Sequence, residues 1–470
     1  MVISASLLFV ILLEALALFF AFRALTHSRT PQGAVAWVVF LISAPYIAVV
    51  SYLFLGHSKV RGYMTARRDS IEHVSAIQAA RLSLPPKPEA QIAEAKLLET
   101  IAASPLLSGN KFELLVDGEE TFDAIHSAID QAESYILVQF YIVRDDPTGN
   151  ALADRLIAAA QRGVSVRFLY DSVGCNRLTR SYIARLTEAG VRMLDTNALR
   201  GPTKRFQLNF RNHRKTLVVD GKIGFTGGLN VGEEYMGRDP EFGHWRDTHC
   251  QFRGPMVQQL QIIFAEDWHW ATQESLLDNL NWSIDSQPED QDGLILAGGP
   301  ADPMDTGNLY FNACISAAKN RIWIASPYFV PDPDIITALQ IAALKGIDVR
   351  VLVPAKADHW VTWLAAFAYF DELRDAGIQF LQYNEGFMHQ KCVLVDDTIA
   401  SVGTFNLDSR SCRLNFEETA ILIDQRAAKD LEIMFQDDFM RASPLTTPLH
   451  HQPLWVRVFA PVARLFAPLL

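Results

Sequence analysis

The stretch HRKTLVVDGKIGFTGGLN, His213 to Asn230, decides the fold, because HQKCVLVDDTIASVGTFN, His389 to Asn406, repeats its plan. Each copy sets a Lys two residues after its His and an Asp five residues beyond that Lys. A Gly follows seven residues later and an Asn three after the Gly: His213, Lys215, Asp220, Gly227, Asn230 against His389, Lys391, Asp396, Gly403, Asn406. Alternate residues of a strand project to one face, so His213 and Lys215 point together, as do His389 and Lys391. An apolar run follows in each copy, then a turn at Asp220-Gly221 or Asp396-Asp397. Asp-Gly between apolar runs signals a hairpin, whose return carries Asn230, or Asn406, back beside the His and Lys. One such histidine in a buried hairpin is ordinary. Five matched positions at one spacing, twice, are not.

The segments ahead of the two copies repeat as well. In the first, a helix over 120–133 precedes the strand YILVQFYI (135–142), a helix over 149–161, Gly163 and the strand VSVRFLY. In the second, a helix over 308–319 precedes RIWIASPYFV (321–330), another helix, Gly346 and the strand IDVRVLVP. Strand, helix, Gly, strand, motif: the order predicts an α/β fold made of two tandem domains, over 111–290 and 291–445. A polar linker over 58–110 precedes them.

Residues 2–22 are almost wholly apolar and long enough to span a bilayer. Glu14 interrupts them at a cost of roughly 3 kcal/mol, so it is expected to be protonated or to face a partner helix. A second apolar run, Ala34 to Leu55, makes residues 1–57 a pair of transmembrane helices in a hairpin. Lys59, Arg61, Arg67 and Arg68 outweigh Arg23 and Arg29, which places the remainder in the cytoplasm. The tail over 446–470 carries Arg457 and Arg464 seven apart on one helical face. It fits an interfacial amphipathic helix and a helix docked on the core equally well.

A net charge of −11 argues against a nucleic-acid partner. Five Cys without a C-x-x-C pair fit reduced cytosolic thiols, and neither H-E-x-x-H nor a P-loop is present. Two imidazoles suit phosphodiester chemistry: one attacks phosphorus, the other protonates the leaving alkoxide. Lys215, Lys391, Asn230 and Asn406 would hold the nonbridging oxygens. Such chemistry calls for no metal and no cofactor. Asp247 in HWRDTH and Glu417 in LNFEET are candidates to orient an imidazole through its other nitrogen. Asp220 and Asp396, at hairpin turns, suit backbone hydrogen bonding better than proton transfer. The basic segment 200–215 is either a guide for an anionic substrate or a solvated loop. His244, His249, His269 and His359 are expected to be structural, and His450-His451 to lie in an exposed loop.

The doubled HxKxxxxD, followed by GG-x-N or G-[ST]-x-N, resembles the phospholipase D superfamily. NFRNHRK, FTGGLNVGEEY, WRDTH, SPYFVPDPD, GFMHQK, VGTFNLDSRS and LNFEE are similar to its bacterial cardiolipin synthases. That resemblance implies two phospholipase D-like domains related by a pseudo-two-fold axis, with both HxK hairpins at their interface. It implies His213 as nucleophile and His389 as acid, then base, and counts Asp220, Asp396, Gly228 and Thr404 with the site. Thr404 stands where the family commonly has Ser. It further implies transfer of a phosphatidyl group between two phosphatidylglycerol molecules, giving cardiolipin and glycerol, at the bacterial inner membrane. A hydrolase or a transferase using another lipid or alcohol shares the motif.

Overall fold

The computed structural model describes residues 5–27, 31–55, 93–196 and 210–470. They fall into two compact units, the N-terminal helices and the bulk of the chain.

In the first unit, helix Ala5–His27 contains the one stretch among the described residues, Ser6–Thr26, long and apolar enough to cross a membrane. The second apolar run departs from expectation. It is not one helix but two, Pro31–Ser43 and Pro45–Leu55. Pro45 has no N–H to continue the ladder, and its ring crowds the preceding turn. The Ala44 N–H still bonds the Phe40 carbonyl at 2.9 Å, so the interruption is a single residue. Phe20, Ala24, Leu41, Val49 and Tyr52 pack these helices together. Glu14, expected to be protonated or turned toward a partner helix, lies on the exposed side of its helix.

The second unit is built on one long sheet. Its first half contributes β1 (Leu107–Val116), β2 (Tyr135–Phe140), β3 (Ser165–Tyr170), β4 (Arg192–Asp195), β5 (Thr216–Val219), β6 (Ile223–Gly227) and β7 (Thr248–Arg253). The second half contributes β8 (Gln291–Gly298), β9 (Arg321–Ala325), β10 (Asp348–Pro354), β11 (Gln379–Tyr383), β12 (Cys392–Val395), β13 (Ile399–Gly403), β14 (Asn415–Ile423) and β15 (Ala442–Pro444). Across the first half the order is β4-β3-β2-β5-β6-β7-β1; across the second it is β8-β14-β13-β12-β9-β10-β11-β15. The halves mirror one another and join where β1 pairs antiparallel with β8, Leu107 opposite Gly293. β2, β3 and β4 run parallel, as do β9, β10 and β11, while the motif hairpins pair antiparallel.

The central strands, among them those that carry the motif hairpins, are buried on both faces, which explains their continuous apolar runs. Helices Asp117–Asp130 and Pro147–Gln161 cover one side of the first half, and Thr306–Ala317, Pro333–Leu344 and Trp360–Asp375 cover the corresponding side of the second. Helices Met256–Thr272 and Gln425–Met440 share a core that draws on strands of both halves. A helix also occupies the end of the expected linker, Ala93–Ala102. Its Ala95, Leu98 and Ile101 pack on Leu294, Tyr310 and Phe311 of the second half.

Candidate active site

The motif histidines sit just before β5 and β12, outside both hairpin ladders. Two short parallel pairings between the halves fix them there. Arg211-Asn212 pair with Asn415-Phe416, which continues into a bond from the His213 N–H to the Phe416 carbonyl at 2.9 Å. Trp245-Arg246 pair with Phe387-Met388, which continues into a bond from the His389 N–H to the Arg246 carbonyl at 2.8 Å. Each histidine therefore lies level with the carboxylate of the opposite half. His213 Nδ1 is 2.8 Å from Glu417 Oε2, and His389 Nδ1 is 2.8 Å from Asp247 Oδ2. The candidate carboxylates both reach imidazoles, and they do so crossed.

Burial pushes both imidazoles down to about 4, against the pull of their carboxylates, so both are neutral at pH 7. Burial pushes the Glu417 carboxyl up, but His213 and Lys215 together hold it below its ordinary range. Lys391 and His389 do the same for Asp247. A neutral imidazole beside a carboxylate keeps its proton on Nδ1 and leaves Nε2 with a free lone pair. Burial also pushes Lys215 down to about 7 and Lys391 to about 8. Each lysine donates to the carbonyl of its own histidine, Lys215 at 2.7 Å, and Lys391 Nζ also lies 2.9 Å from His389 Nδ1. Each lysine also feels the carboxylates of both halves, so the two copies form one electrostatic unit.

The smaller motif residues explain the shape of the pocket. A Cβ on Gly228 would lie 1.9 Å from Asp247 Oδ1, so the carboxylate occupies the space a side chain would need. Thr404 stands at the matching position of the second copy. Its hydroxyl donates to the Glu418 carbonyl and accepts from the Glu418 N–H, and it helps hold the Glu417 carboxylate below its ordinary range. Asn230 accepts from the Ile142 N–H at 3.1 Å and bonds Tyr235. Asn406 is buried with its amide oxygen unpartnered.

Asp220 and Asp396 are not part of this cluster. Asp220 accepts from the N–H groups of Glu133, Ser134 and Tyr135 at 2.8–2.9 Å. Asp396 does the same for Lys319, Asn320 and Arg321. Both have positive φ, 54° and 49°, in the turn of their hairpin. Each clamps that turn to the start of the neighbouring strand, and neither bonds an imidazole. Of the basic segment, residues 200–209 lie outside the described residues. Arg214 is committed to Asp267 at 2.9 Å. His244 bonds Asp117 at 2.7 Å. His249 is fully buried near the site: burial pushes it down to about 3, with Asp247 and Lys215 close enough to act on it electrostatically.

Several residues at the site escape sequence reasoning. Tyr141 packs edge-on against His213 with ring centres 5.0 Å apart, while Trp245 and Tyr328 flank His389 at 5.3 and 6.5 Å. Beneath the motifs, Asp267 receives Gln139, Asn212 and Arg214, and Asp438 receives Arg246 and Gln390. One signal was visible: Arg214 and Gln390, each wedged between a His and a Lys, are polar residues facing away from the site.

The doubling of the halves agrees with the comparisons. The family described as "Cardiolipin synthase, PLD-like domain" matches residues 125–268 and 311–439, once for each half. A second, "Phospholipase_D-nuclease N-terminal", matches 15–57. The chain belongs to the cardiolipin synthase family of phospholipase D-like proteins. It is 41% identical to cardiolipin synthase A of Pseudomonas putida (strain GB-1), over 98% of this chain and 97% of that relative. It is 42% identical to cardiolipin synthase A of Pseudomonas aeruginosa (strain UCBPP-PA14), over 97% and 95%. Among solved structures, a phosphatidylserine synthase of Haemophilus influenzae shares the fold with a TM-score of 0.59 at 15% identity. That match covers 80% of this chain and all of the other.

Proposed function

We propose that the chain moves a phosphatidyl group from one phosphatidylglycerol to another, releasing glycerol and forming cardiolipin through a phosphohistidine. The observation that carries this reading is the pair of neutral imidazoles, each held at Nδ1 by a carboxylate of the other half, beside two buried lysines.

His213 is the nucleophile. Its Nδ1 faces Glu417 alone, whereas Nδ1 of His389 also has Lys391 Nζ at 2.9 Å, a second donor that opposes a proton there, so the tautomer with a free Nε2 lone pair is the better held at His213. His213 Nε2 attacks phosphorus; the N–P bond forms as the P–O bond to the glycerol headgroup breaks. His389, protonated at Nε2, gives its proton to the departing oxygen. Burial keeps His389 uncharged in the empty site, so proton uptake accompanies entry of the anionic phosphodiester. In the second step the neutral His389 takes a proton from a glycerol hydroxyl of the second phosphatidylglycerol. That oxygen attacks phosphorus, the N–P bond breaks, and His389 is protonated again. Lys215 and Lys391, with the amides of Asn230 and Asn406, receive the nonbridging oxygens. The Asn406 amide oxygen has no protein partner, so turning the amide to present its NH₂ would break no bond of that oxygen.

The site works on lipids of the bacterial inner membrane, with both catalytic halves on the cytoplasmic side. Helices Pro31–Ser43 and Pro45–Leu55 cross together as a second pass: 25 residues rise about 37 Å against a hydrocarbon core of about 30 Å. The cluster Lys59, Arg61, Arg67 and Arg68 supports that orientation. Lipid mass spectrometry on purified protein in phosphatidylglycerol vesicles tests the reaction. Cardiolipin with released glycerol is expected; phosphatidic acid in its place would make the protein a hydrolase.

A further inference from the structure

Helix Leu454–Arg464 docks on helix Trp360–Asp375 through Val456, Ala460 and Ala463, all buried. Its outward face is as apolar as its inward one. Leu454, Trp455, Val458, Phe459 and Val462 are each about half exposed or more, and Leu465 just beyond them is 78% exposed. Trp360 and Val361, at the start of the partner helix, extend this face, and Trp360 and Trp363 pack on Trp455 with ring centres 6.3 and 6.1 Å away. An apolar helix face left open to solvent is an unpartnered side.

Charge identifies what covers it. Residues 446–470 contain Arg457 and Arg464 and no acid, in a chain of net charge −11. Both arginines are exposed, and Arg464 lies over Tyr369 at 4.5 Å and hydrogen-bonds it. Apolar residues and tryptophans flanked by arginines match the boundary of an anionic lipid surface, acyl chains inside and phosphates outside. Position supports the same occupant. His359, adjoining Trp360, packs on Tyr328 at 5.9 Å, and Tyr328 packs on His389 at 6.5 Å. A narrow crevice of about 20 Å³, lined by Pro327, Phe329, Trp363 and Phe367, lies beside this chain of contacts. The exposed face is thus linked to His389 through two ring contacts.

We propose that the outer face of helix Leu454–Arg464, together with Trp360 and Val361, docks on an anionic lipid surface and sets the His389 side of the site against the bilayer. The proposal rests on the lipid-transfer reading for its purpose, but its test reads contact rather than turnover. All five cysteines are buried, so Phe459→Cys gives a single accessible thiol for a fluorescent probe in the full chain. The control is Glu133→Cys, a position whose side chain is 80% exposed on the first half. Both proteins are reconstituted in vesicles of phosphatidylglycerol and phosphatidylcholine bearing nitroxide on the acyl chain. An interfacial helix sits about 5–10 Å into the headgroup and acyl boundary, so the probe at 459 should lose emission about twofold or more while that at 133 does not. Removing the exposed side chains with Leu454→Ser and Leu465→Ser should restore the emission. Equal quenching at 459 and 133 would overturn the proposal. So would a probe at 459 that escapes lipid quenching while the unlabelled Phe459→Cys protein forms disulfide-linked pairs, which would make a second copy the occupant. Quenching as strong in pure phosphatidylcholine would overturn its anionic part.

Discussion

Replacing Glu417 with Gln probes the crossed pairing directly. Glu417 belongs to the second half, yet its Oε2 lies 2.8 Å from Nδ1 of His213 in the first. Glu417 is fully enclosed and His213 is 8% exposed, so water does little to weaken the contact. A hydrogen bond to a charged group is worth about 1.5–3 kcal/mol, which is about ten- to a hundredfold in rate if the transition state feels all of it. A second effect adds to this. The Gln amide can present its NH₂ to Nδ1, which favours the tautomer protonated on Nε2 and removes the lone pair needed at phosphorus. In a different His-carboxylate pair, a serine protease triad, such a tautomer change costs about 10⁴ in turnover. We expect Glu417→Gln to lose about 10²–10⁴ in turnover while the fold is kept.

Single-turnover experiments locate the defect. With phosphatidylglycerol labelled at phosphorus and an alkaline denaturing quench, the adduct is followed on the peptide that contains residue 213. Glu417→Gln should slow appearance of that adduct. Asp247→Asn acts on the acid instead, so a phosphatidyl ester of p-nitrophenol, which leaves without a proton, should still load His213 at near the parent rate. Turnover of Glu417→Gln within about threefold of the parent, under 1 kcal/mol of barrier, would refute the reasoning. So would a loading defect that follows Asp247→Asn with the activated ester.

Three further outcomes follow from the same geometry. Asp220→Asn should cost about 1.5–3 kcal/mol of stability in chemical denaturation, because it weakens a carboxylate that receives three backbone N–H groups, yet leave turnover per folded molecule near normal. Gly228→Ala should hurt both: a methyl 1.9 Å from Asp247 Oδ1 displaces the buried carboxylate from His389, lowering melting and cutting turnover per folded molecule about 10–100-fold. The pH profile of kcat/KM should fall as pH rises through about 7–8. Lysines held at about 7 and 8 in the free site lose the charge that receives phosphate. A bound phosphodiester raises both, so the alkaline limb of kcat should lie at higher pH.

The α/β class and the tandem halves were legible in the sequence because duplication leaves a signal that composition cannot blur: the same strand, helix, Gly and strand precede each motif. The clamping role of Asp220 and Asp396 was legible too, since turn chemistry is local. The break at Ala44-Pro45 was readable from Pro45 itself, but the apolar run around it outweighed one residue. Which carboxylate serves which histidine was not legible. Asp247 follows Asn230 by 17 residues and Glu417 follows Asn406 by 11, and chain proximity suggests pairing within each half. The actual partners are set by two-residue parallel ladders across the interface, Arg211-Asn212 with Asn415-Phe416 and Trp245-Arg246 with Phe387-Met388, too short to carry any periodicity.

The same crossing bears on why both copies are kept intact. In a single half the histidine would still sit beside its lysine, since Lys215 bonds the His213 carbonyl within its own copy. It would lack the carboxylate that fixes its tautomer, and Asp247 or Glu417 would be left without the imidazole and with less of the positive charge that holds each below its ordinary range. A buried carboxylate deprived of partners takes up a proton or destabilises the fold. Losing either copy therefore damages the other's histidine as well as its own. This coupling leaves each imidazole dependent on the half it does not belong to, so a single change at Glu417 in the second half is expected to disable the proposed nucleophile His213 in the first.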